Sequence, residues 1–184
     1  MPTKHVLTQA QLESLTSPIR LAIVQRLEID KRATARELAE RMGRSATALY
    51  HHLKQLEDVG LARIVAERKG PRRPEAVYAM VADNLSSEEA VKTMNGRQTY
   101  GRAAARVADA SSRAFSAAVA HSDTRFDGQY RNAMVRFYVL RADKKKIAQL
   151  NALLNELEDA AMHPCDEGEE IQLTVLLSPL RSKD

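Results

Sequence analysis

The stretch 45-SATALYHHLKQLEDVGL-61 decides the fold of the first half of the chain. Ser45 is a good N-cap, and Gly60 can adopt the left-handed conformation that often ends a helix. Between them, apolar side chains recur at the three- and four-residue spacing of one helix face, at Leu49, Leu53 and Leu56. The stretch therefore predicts a helix over residues 45–59 with one buried face.

Three capping patterns precede this helix and predict the helices before it. Thr8-Gln9-Ala10-Gln11 is a capping box that opens a short helix. Ser17-Pro18 opens a helix to about Glu28, because serine caps well and proline suits the first helical position. Thr34-Ala35-Arg36-Glu37 is a second capping box, and its helix of about two turns ends at Gly43. Residues 34–59 are thus predicted to form two helices joined by a tight turn.

The residues after this helix change to a two-residue period, which is typical of β-strands. The period occurs in residues 61–66 and again in residues 76–81. Residues 67–75 between them, called the wing below, contain two prolines and one glycine. A helix is excluded there, so we predict a β-hairpin with a long basic tip.

The order helix, helix, turn, helix, basic hairpin is that of a winged helix-turn-helix, and residues 16–82 resemble the ArsR-like winged helix-turn-helix regulators. The resemblance is carried by Ser17-Pro18-Ile19-Arg20, by Glu37-Leu38-Ala39 and by residues 45–61, whose His-Leu-basic-X-Leu-X-X-X-Gly-Leu frame is its most specific part. It covers a little over a third of the chain. It implies that residues 45–59 enter the major groove of DNA and that the wing touches the neighbouring backbone.

The helix face opposite the leucines supplies candidate DNA contacts. At about 100° per residue it presents Ala46, Thr47, Tyr50, His51 and Lys54. The hydroxyls of Thr47 and Tyr50 can meet bases or phosphates, and His51 can donate to a purine acceptor. Lys54, farther along, is expected to meet phosphate. Arg, Asn and Gln are absent from this face except for Gln55 at its margin, so we expect affinity to depend on phosphates and DNA shape.

Two basic elements flank this face. Arg44 and Ser45, together with the backbone N–H groups of the helix start, suit one phosphate. The wing carries four cations with no acid between them, Arg68, Lys69, Arg72 and Arg73. A solvated loop is the alternative interpretation, but the prolines hold the charges outward and favour contact with DNA. His52, next to the leucine stripe, is expected to be a packed, hydrogen-bonded structural residue.

The second half of the chain has a different pattern. Residues 86–89, Ser-Ser-Glu-Glu, cap a helix predicted to reach about His121, and nine alanines between Ala103 and Ala120 let a partner helix approach closely. That partner is either another helix of the chain or a second copy, and we favour self-association through residues 100–118. A strand over residues 133–140, a helix opened by Asp143 and a strand over residues 171–177 follow. Whether these strands pair with each other or with a second copy stays open.

Composition and charge limit the class of protein. The chain has 184 residues, one cysteine and a net charge of +4. Residues 1–82 carry 14 Lys and Arg against 9 Asp and Glu, whereas residues 83–184 carry 14 against 15, so the basic half is N-terminal. One cysteine forms no intramolecular disulfide, and neither a membrane span nor the apolar core of a signal peptide is present in the sequence. We expect a cytoplasmic protein with no membrane partner.

Metal and enzyme chemistry have weak support. The ArsR-like family includes metal sensors, but here His163-Pro164-Cys165-Asp166-Glu167 is the only local cluster of ligand types, and its composition is that of a solvated turn. Phosphate-binding glycine loops, metalloprotease helix motifs and nucleophile elbows are absent from the sequence. We therefore expect no metal site, no cofactor and no enzyme activity.

Together these patterns predict a mainly α fold with a small β component (α+β). A winged helix-turn-helix DNA-binding domain over residues 1–83 is followed by a dimerisation and possible effector domain over residues 84–184, built from a long helix and a β-α-β unit. The predicted function is that of a homodimeric regulator of transcription that binds double-stranded DNA. The alternative is a winged-helix module that binds proteins and not DNA. A small-molecule effector is compatible with either.

Overall fold

The computed structural model of the chain describes residues 4–70, 73–162 and 167–180. Over these residues it contains six α-helices and five short strands. The helices are α1 Gln9–Ser14, α2 Pro18–Asp30, α3 Ala35–Arg41, α4 Ala46–Asp58, α5 Met94–Ala118 and α6 Lys144–Ala161. The strands are β1 Lys4–Val6, β2 Ala33–Thr34, β3 Ala62–Arg68, β4 Glu75–Met80 and β5 Asn84–Ser86. The predicted α+β fold class is confirmed.

Capping decides where the first helices begin, as the sequence predicts. In both predicted capping boxes, at Thr8 and Thr34, the hydroxyl accepts from the N3 backbone N–H and the N3 side chain accepts from the cap residue's backbone N–H. Ser45 Oγ accepts from Ala48 N–H at 3.3 Å and starts α4. Gly43, between α3 and α4, has φ +61°, a conformation that glycine adopts at little cost. The predicted pair of helices joined by a tight turn is therefore formed.

The predicted hairpin is also formed and belongs to a three-stranded sheet. Strands β3 and β4 pair antiparallel, with an irregularity between Ile64 and Ala66, and β2 adds to the other edge of β4. Helices α1 to α4 and the start of α5 pack around one apolar core with this sheet. Its completely buried members include Ile23, Leu27, Leu38, Leu49, Leu53, Leu56 and Leu61. Because all three leucines of α4 are buried there, the opposite face of α4 is turned outward.

The chain divides into two compact units, Met1–Ala110 and Ser111–Asp184. This differs from the predicted division between residues 83 and 84, which falls inside the first unit. Strand β1 pairs in parallel with β5, and Gln9 Nε2 donates to the buried Thr99 Oγ1 at 3.0 Å. The first part of α5 therefore completes the N-terminal unit. A cut after Asp83 would remove β5 and this packing.

The long helix begins later than the pattern at residues 86–89 predicts. A 3-10 turn, Ala90–Lys92, comes first, and Thr93 Oγ1 then accepts from Gly96 N–H at 3.0 Å at the start of α5. A side chain at Gly96 would collide with the carbonyl oxygen of Ala90. Glycine at this position therefore lets the start of α5 lie directly against the 3-10 turn. Of the residues of α5, only Gly96, Thr99 and Ala103 are buried, and its alanine-rich second half is not.

The second unit contains the end of α5 and all of α6. Asp143 caps α6 as predicted, since its Oδ1 accepts from Lys146 N–H at 2.8 Å. The two predicted strands, residues 133–140 and 171–177, form no β-ladder in the part of the chain that the structure describes. This prediction is corrected for the single chain: a strand needs a neighbouring strand to form a ladder, and neither segment pairs with one among the described residues.

Helices of the length and apolar character that would cross a membrane are absent from the described residues.

Candidate nucleic-acid interface

Helix α4 presents the predicted contact face to solvent. Exposed residues are the N-cap serine, the preceding arginine and four of the five predicted groove residues: Arg44, Ser45, Thr47, Tyr50, His51 and Lys54. Ala46, the fifth, is half-buried and packs against the core. Tyr50 has 40% of its surface exposed, so its ring and hydroxyl are accessible to a partner. Since the backbone N–H groups of a first helical turn point outward along the axis, this end of α4 suits an anion.

Helices α1 and α2 fix the position of α4. Gln11 Nε2 donates to the carbonyl oxygens of Val59 at 2.8 Å and Gly60 at 3.2 Å, where α4 ends. Arg20 donates through Nη1 to Gln55 Oε1 at 2.8 Å and through Nε to the carbonyl of Ser14 at 2.8 Å. Gln55, at the margin of the predicted contact face, is thus directed toward α2. These bonds hold the end of α4 against α1 and α2, and a helix that enters a DNA groove needs such a defined position.

The two adjacent histidines have different surroundings. His51 is exposed on the contact face, and its ring centroid lies 5.7 Å from that of His52. His52 is half-buried, as expected for a structural residue, but its Nδ1 is buried without a hydrogen-bond partner in the described part of the chain. Burial, followed by the positive charge of Arg20, holds the pKa of His52 below its usual value. His52 therefore favours the neutral form.

Lys54 is exposed but already engaged within α4. Its Nζ lies 2.7 Å from Asp58 Oδ1 and 3.7 Å from Glu57 Oε2. The hydrogen bond to Asp58 raises the pKa of Lys54, so the amine carries its full charge at neutral pH. A phosphate contact by Lys54 would have to compete with these two acids.

The wing is attached to α3 by two ion pairs. Arg68 Nη1 lies 2.8 Å from Glu37 Oε1, and Arg36 Nε lies 3.2 Å from Glu75 Oε1. In the first pair the wing supplies the base and α3 supplies the acid. In the second pair α3 supplies the base and the wing supplies the acid. Gly70 permits the turn, because a side chain there would collide with the carbonyl oxygen of Arg73. The base of the wing is therefore held close to α3, which precedes α4.

The four predicted wing cations are not equivalent. Arg68 is exposed and forms an ion pair with Glu37. Lys69 and Arg73 are also exposed, but they form no ion pair with the described residues. Arg72 lies outside the described residues. Together with Arg44, which likewise forms no ion pair there, Lys69 and Arg73 leave uncompensated positive charge on the surface. Such charge favours a polyanionic partner.

Glu37 connects helix capping to the wing. One of its oxygens, Oε2, accepts from Thr34 N–H at 2.7 Å, and the other pairs with Arg68. The backbone hydrogen bond from Thr34 is the main cause that lowers the pKa of Glu37, and Arg68 adds to it. The sequence predicts the cap from spacing alone. The same spacing does not predict the ion pair of Glu37 with Arg68, because Arg68 is 31 positions away and is brought to α3 by the hairpin.

Metal chemistry receives no new support from the geometry. Among the residues that the structure describes, three or more His, Cys, Asp or Glu side chains are nowhere grouped as a metal site. His163 and Cys165, the ligand types noted in the sequence, lie outside the described residues.

The fold and the exposed helix define the class of protein. Residues 15–65, which contain α2, α3, α4 and the start of β3, match a family model described as a helix-turn-helix domain. The chain therefore carries a helix-turn-helix domain at its N-terminal end, the domain of DNA-binding regulators of transcription. No curated protein matches the chain.

Proposed function

We propose that this chain is an ArsR-like winged helix-turn-helix regulator that binds double-stranded DNA as a homodimer. Helix α4 enters the major groove, and the wing lies on the adjacent backbone or minor groove. The proposal assigns no catalytic activity to the chain and no metal to its control.

The exposed face of α4 is the observation that carries this proposal. Thr47, Tyr50 and His51 lie together on a helix whose other face is completely buried. Donors and acceptors presented on a rigid, outward-facing helix suit base edges and phosphates. The uncompensated cations Lys69 and Arg73 on the neighbouring hairpin supply the electrostatic attraction. A module that binds only proteins has no use for this charge.

We propose a homodimer because helix-turn-helix proteins commonly bind two related half-sites. Two copies place two α4 helices about 34 Å apart, which fits successive major grooves on one side of a pseudo-palindromic site. The alanine-rich part of α5 after Ala103 has no buried residue, so it is available to a second copy. This supports the predicted self-association through residues 100–118.

Selection from a random double-stranded library, followed by mobility shifts on the selected site and on a scrambled site, tests the proposal. We expect a selected site with two related halves and preferential binding to it. His51→Ala should cost about 1–3 kcal/mol on the selected site and little on the scrambled one, because a base contact carries sequence information.

Arg32→Ala is the matched control, since Arg32 is exposed and lies outside α4, the wing and residues 100–118. It should leave both affinities unchanged. Failure to enrich any sequence, together with equal and weak binding to both DNAs, would contradict the proposal and favour a protein-binding module.

A further inference from the structure

The second unit exposes an amphipathic helix that packs on little of its own chain. No residue of α6 is buried, although Leu150 and Leu154 are half-buried. Ile147, Leu153 and Leu157 have 45%, 54% and 40% of their surfaces exposed. These five side chains recur at three- and four-residue spacing and form one stripe along the helix. Exposed apolar stripes of this kind mark interaction sites.

The charges of α6 indicate which partner covers this stripe. Three lysines stand at its start, Lys144, Lys145 and Lys146, and three acids stand near its end, Glu156, Glu158 and Asp159. This order opposes the helix dipole, which favours acids at the N-terminus and bases at the C-terminus. The start of one α6 is therefore complementary in charge to the end of another, but only when the two helices run in opposite directions.

The positions of four of these charges around the helix agree with a single register. Taking Leu150 as the centre of the stripe and about 100° per residue, Lys144 and Glu158 lie about 120° and 80° to one side. Lys146 and Glu156 lie about 40° and 120° to the other side. In antiparallel helix pairs, residues on the same flank meet across the interface. Asn151 is the midpoint of both pairs in the sequence. Lys144 and Glu158 lie seven residues from it, and Lys146 and Glu156 lie five residues from it.

We propose that α6 is a self-recognition helix that packs antiparallel on α6 of a second copy, centred on Asn151. In this arrangement Lys144 faces Glu158 and Lys146 faces Glu156, and each contact occurs twice by symmetry. The apolar stripes of the two copies interleave along the axis and exclude water. Lys144, Glu156 and Glu158 flank the stripe and Lys146 lies within its arc. Together these charges set the direction and register of the pair.

The rest of the second unit also has apolar surface that the single chain does not bury. Residues 133–140 and 171–177 are rich in apolar side chains and almost entirely exposed, and they lack ladder partners among the described residues. A second copy seated on α6 brings equivalent segments to the same assembly. The inference deepens the homodimer of the proposed function by assigning it an interface in the second unit.

Charge reversal in the full chain tests the proposal. The acidic variant carries Lys144→Glu and Lys146→Glu, and the basic variant carries Glu156→Lys and Glu158→Lys. Each homodimer then has like charges at all four contacts, so we expect the dissociation constant from sedimentation to rise about tenfold or more at low salt. Mixing the two variants restores four attractive contacts and should give a heterodimer of parental affinity.

Loss of helix structure does not explain such a result, because each reversal improves the match between charge and helix dipole. Circular dichroism should show undiminished helix. Asp159→Lys is the matched control, since Asp159 lies on the back of the helix, about 180° from Leu150. It should leave the dissociation constant unchanged.

A monomeric parent chain, reversals that leave its dissociation constant unchanged, or a mixture without heterodimer preference would each overturn the proposal. DNA binding is measured separately. A chain that dimerises through α6 but enriches no DNA sequence refutes the proposed function and leaves this interface intact, whereas a dimer insensitive to the reversals that still binds a selected DNA site refutes only the interface.

Discussion

Replacing Glu37 by glutamine should strengthen the binding of DNA by the wing. Glu37 Oε1 holds Arg68 Nη1 at 2.8 Å, so the guanidinium must leave this acid before it can contact a phosphate. Glutamine at the third helical position still accepts from Thr34 N–H, because the capping box uses Glu or Gln. The substitution therefore removes the competing charge and keeps the cap.

The expected size follows from counter-ion release. Each phosphate contact contributes a slope of about −0.9 to log affinity against log salt on B-form DNA. One additional contact by Arg68 thus makes the drop in affinity between about 50 and 200 mM salt about 3.5-fold greater than in the parent. The stability cost is small. The side chains of Arg68 and Glu37 are 51% and 35% exposed, and such pairs contribute about 0–1 kcal/mol.

A salt titration of fluorescence anisotropy on random-sequence DNA measures this slope. Glu40→Gln is the matched control, because Glu40 is an exposed acid on the same helix and its replacement changes the net charge equally. It should raise affinity slightly through the long-range field without adding a contact. Equal slopes for Glu37→Gln, Glu40→Gln and the parent would refute the reasoning and leave Arg68 as a purely structural partner of α3.

Three further predictions concern the wing tip, the end of α4 and the effect of pH. Combined Arg72→Ala and Arg73→Ala should weaken binding to selected and random DNA alike and lower the salt slope by about 1 for each phosphate that the wing no longer reaches, and an unchanged slope would make the tip a solvated loop. Gln11→Ala leaves the carbonyls at the end of α4 without their side-chain donor and should cost about 1–3 kcal/mol in urea unfolding. Because the pKa of His52 is lowered on folding, the unfolded chain binds more protons, so stability should fall as pH drops below about 6.5. In His52→Gln the unfolding free energy should fall less between about pH 8 and pH 5.5, and an equal fall would contradict this.

Local signals were sufficient to predict the first unit up to the hairpin. Thr8, Thr34 and Ser45 cap the predicted helices, and the leucine stripe of α4 is buried as its spacing requires. These features depend on residues three or four apart, so the sequence displays them directly. The exposed face of α4 follows from the same stripe. The DNA contacts assigned to that face stay predictions.

Contacts between distant residues were not predictable in this way. The parallel pairing of β1 with β5 joins strands of three residues each that are separated by most of the first unit. Strands this short have no periodicity that distinguishes them from loops. The pairs Arg68 with Glu37 and Arg36 with Glu75 likewise depend on where the hairpin folds back. As a result, the sequence shows neither the ion pair of Arg68 with Glu37 nor the packing that includes the start of α5 in the first unit.

The failure at residues 133–140 and 171–177 has a different cause. Their patterns predict strands, and the pattern of α6 predicts an amphipathic helix, yet a single chain leaves most of these apolar side chains exposed. A hydrophobic pattern predicts that one face of a helix or strand is buried, but it does not indicate whether the same chain or a second copy buries it. The charge order of α6 supplies the missing information, because its lysines and acids complement a second copy in one register. Helix α6, whose apolar face is left exposed by the single chain, is therefore also the element whose charges specify the second copy as its partner.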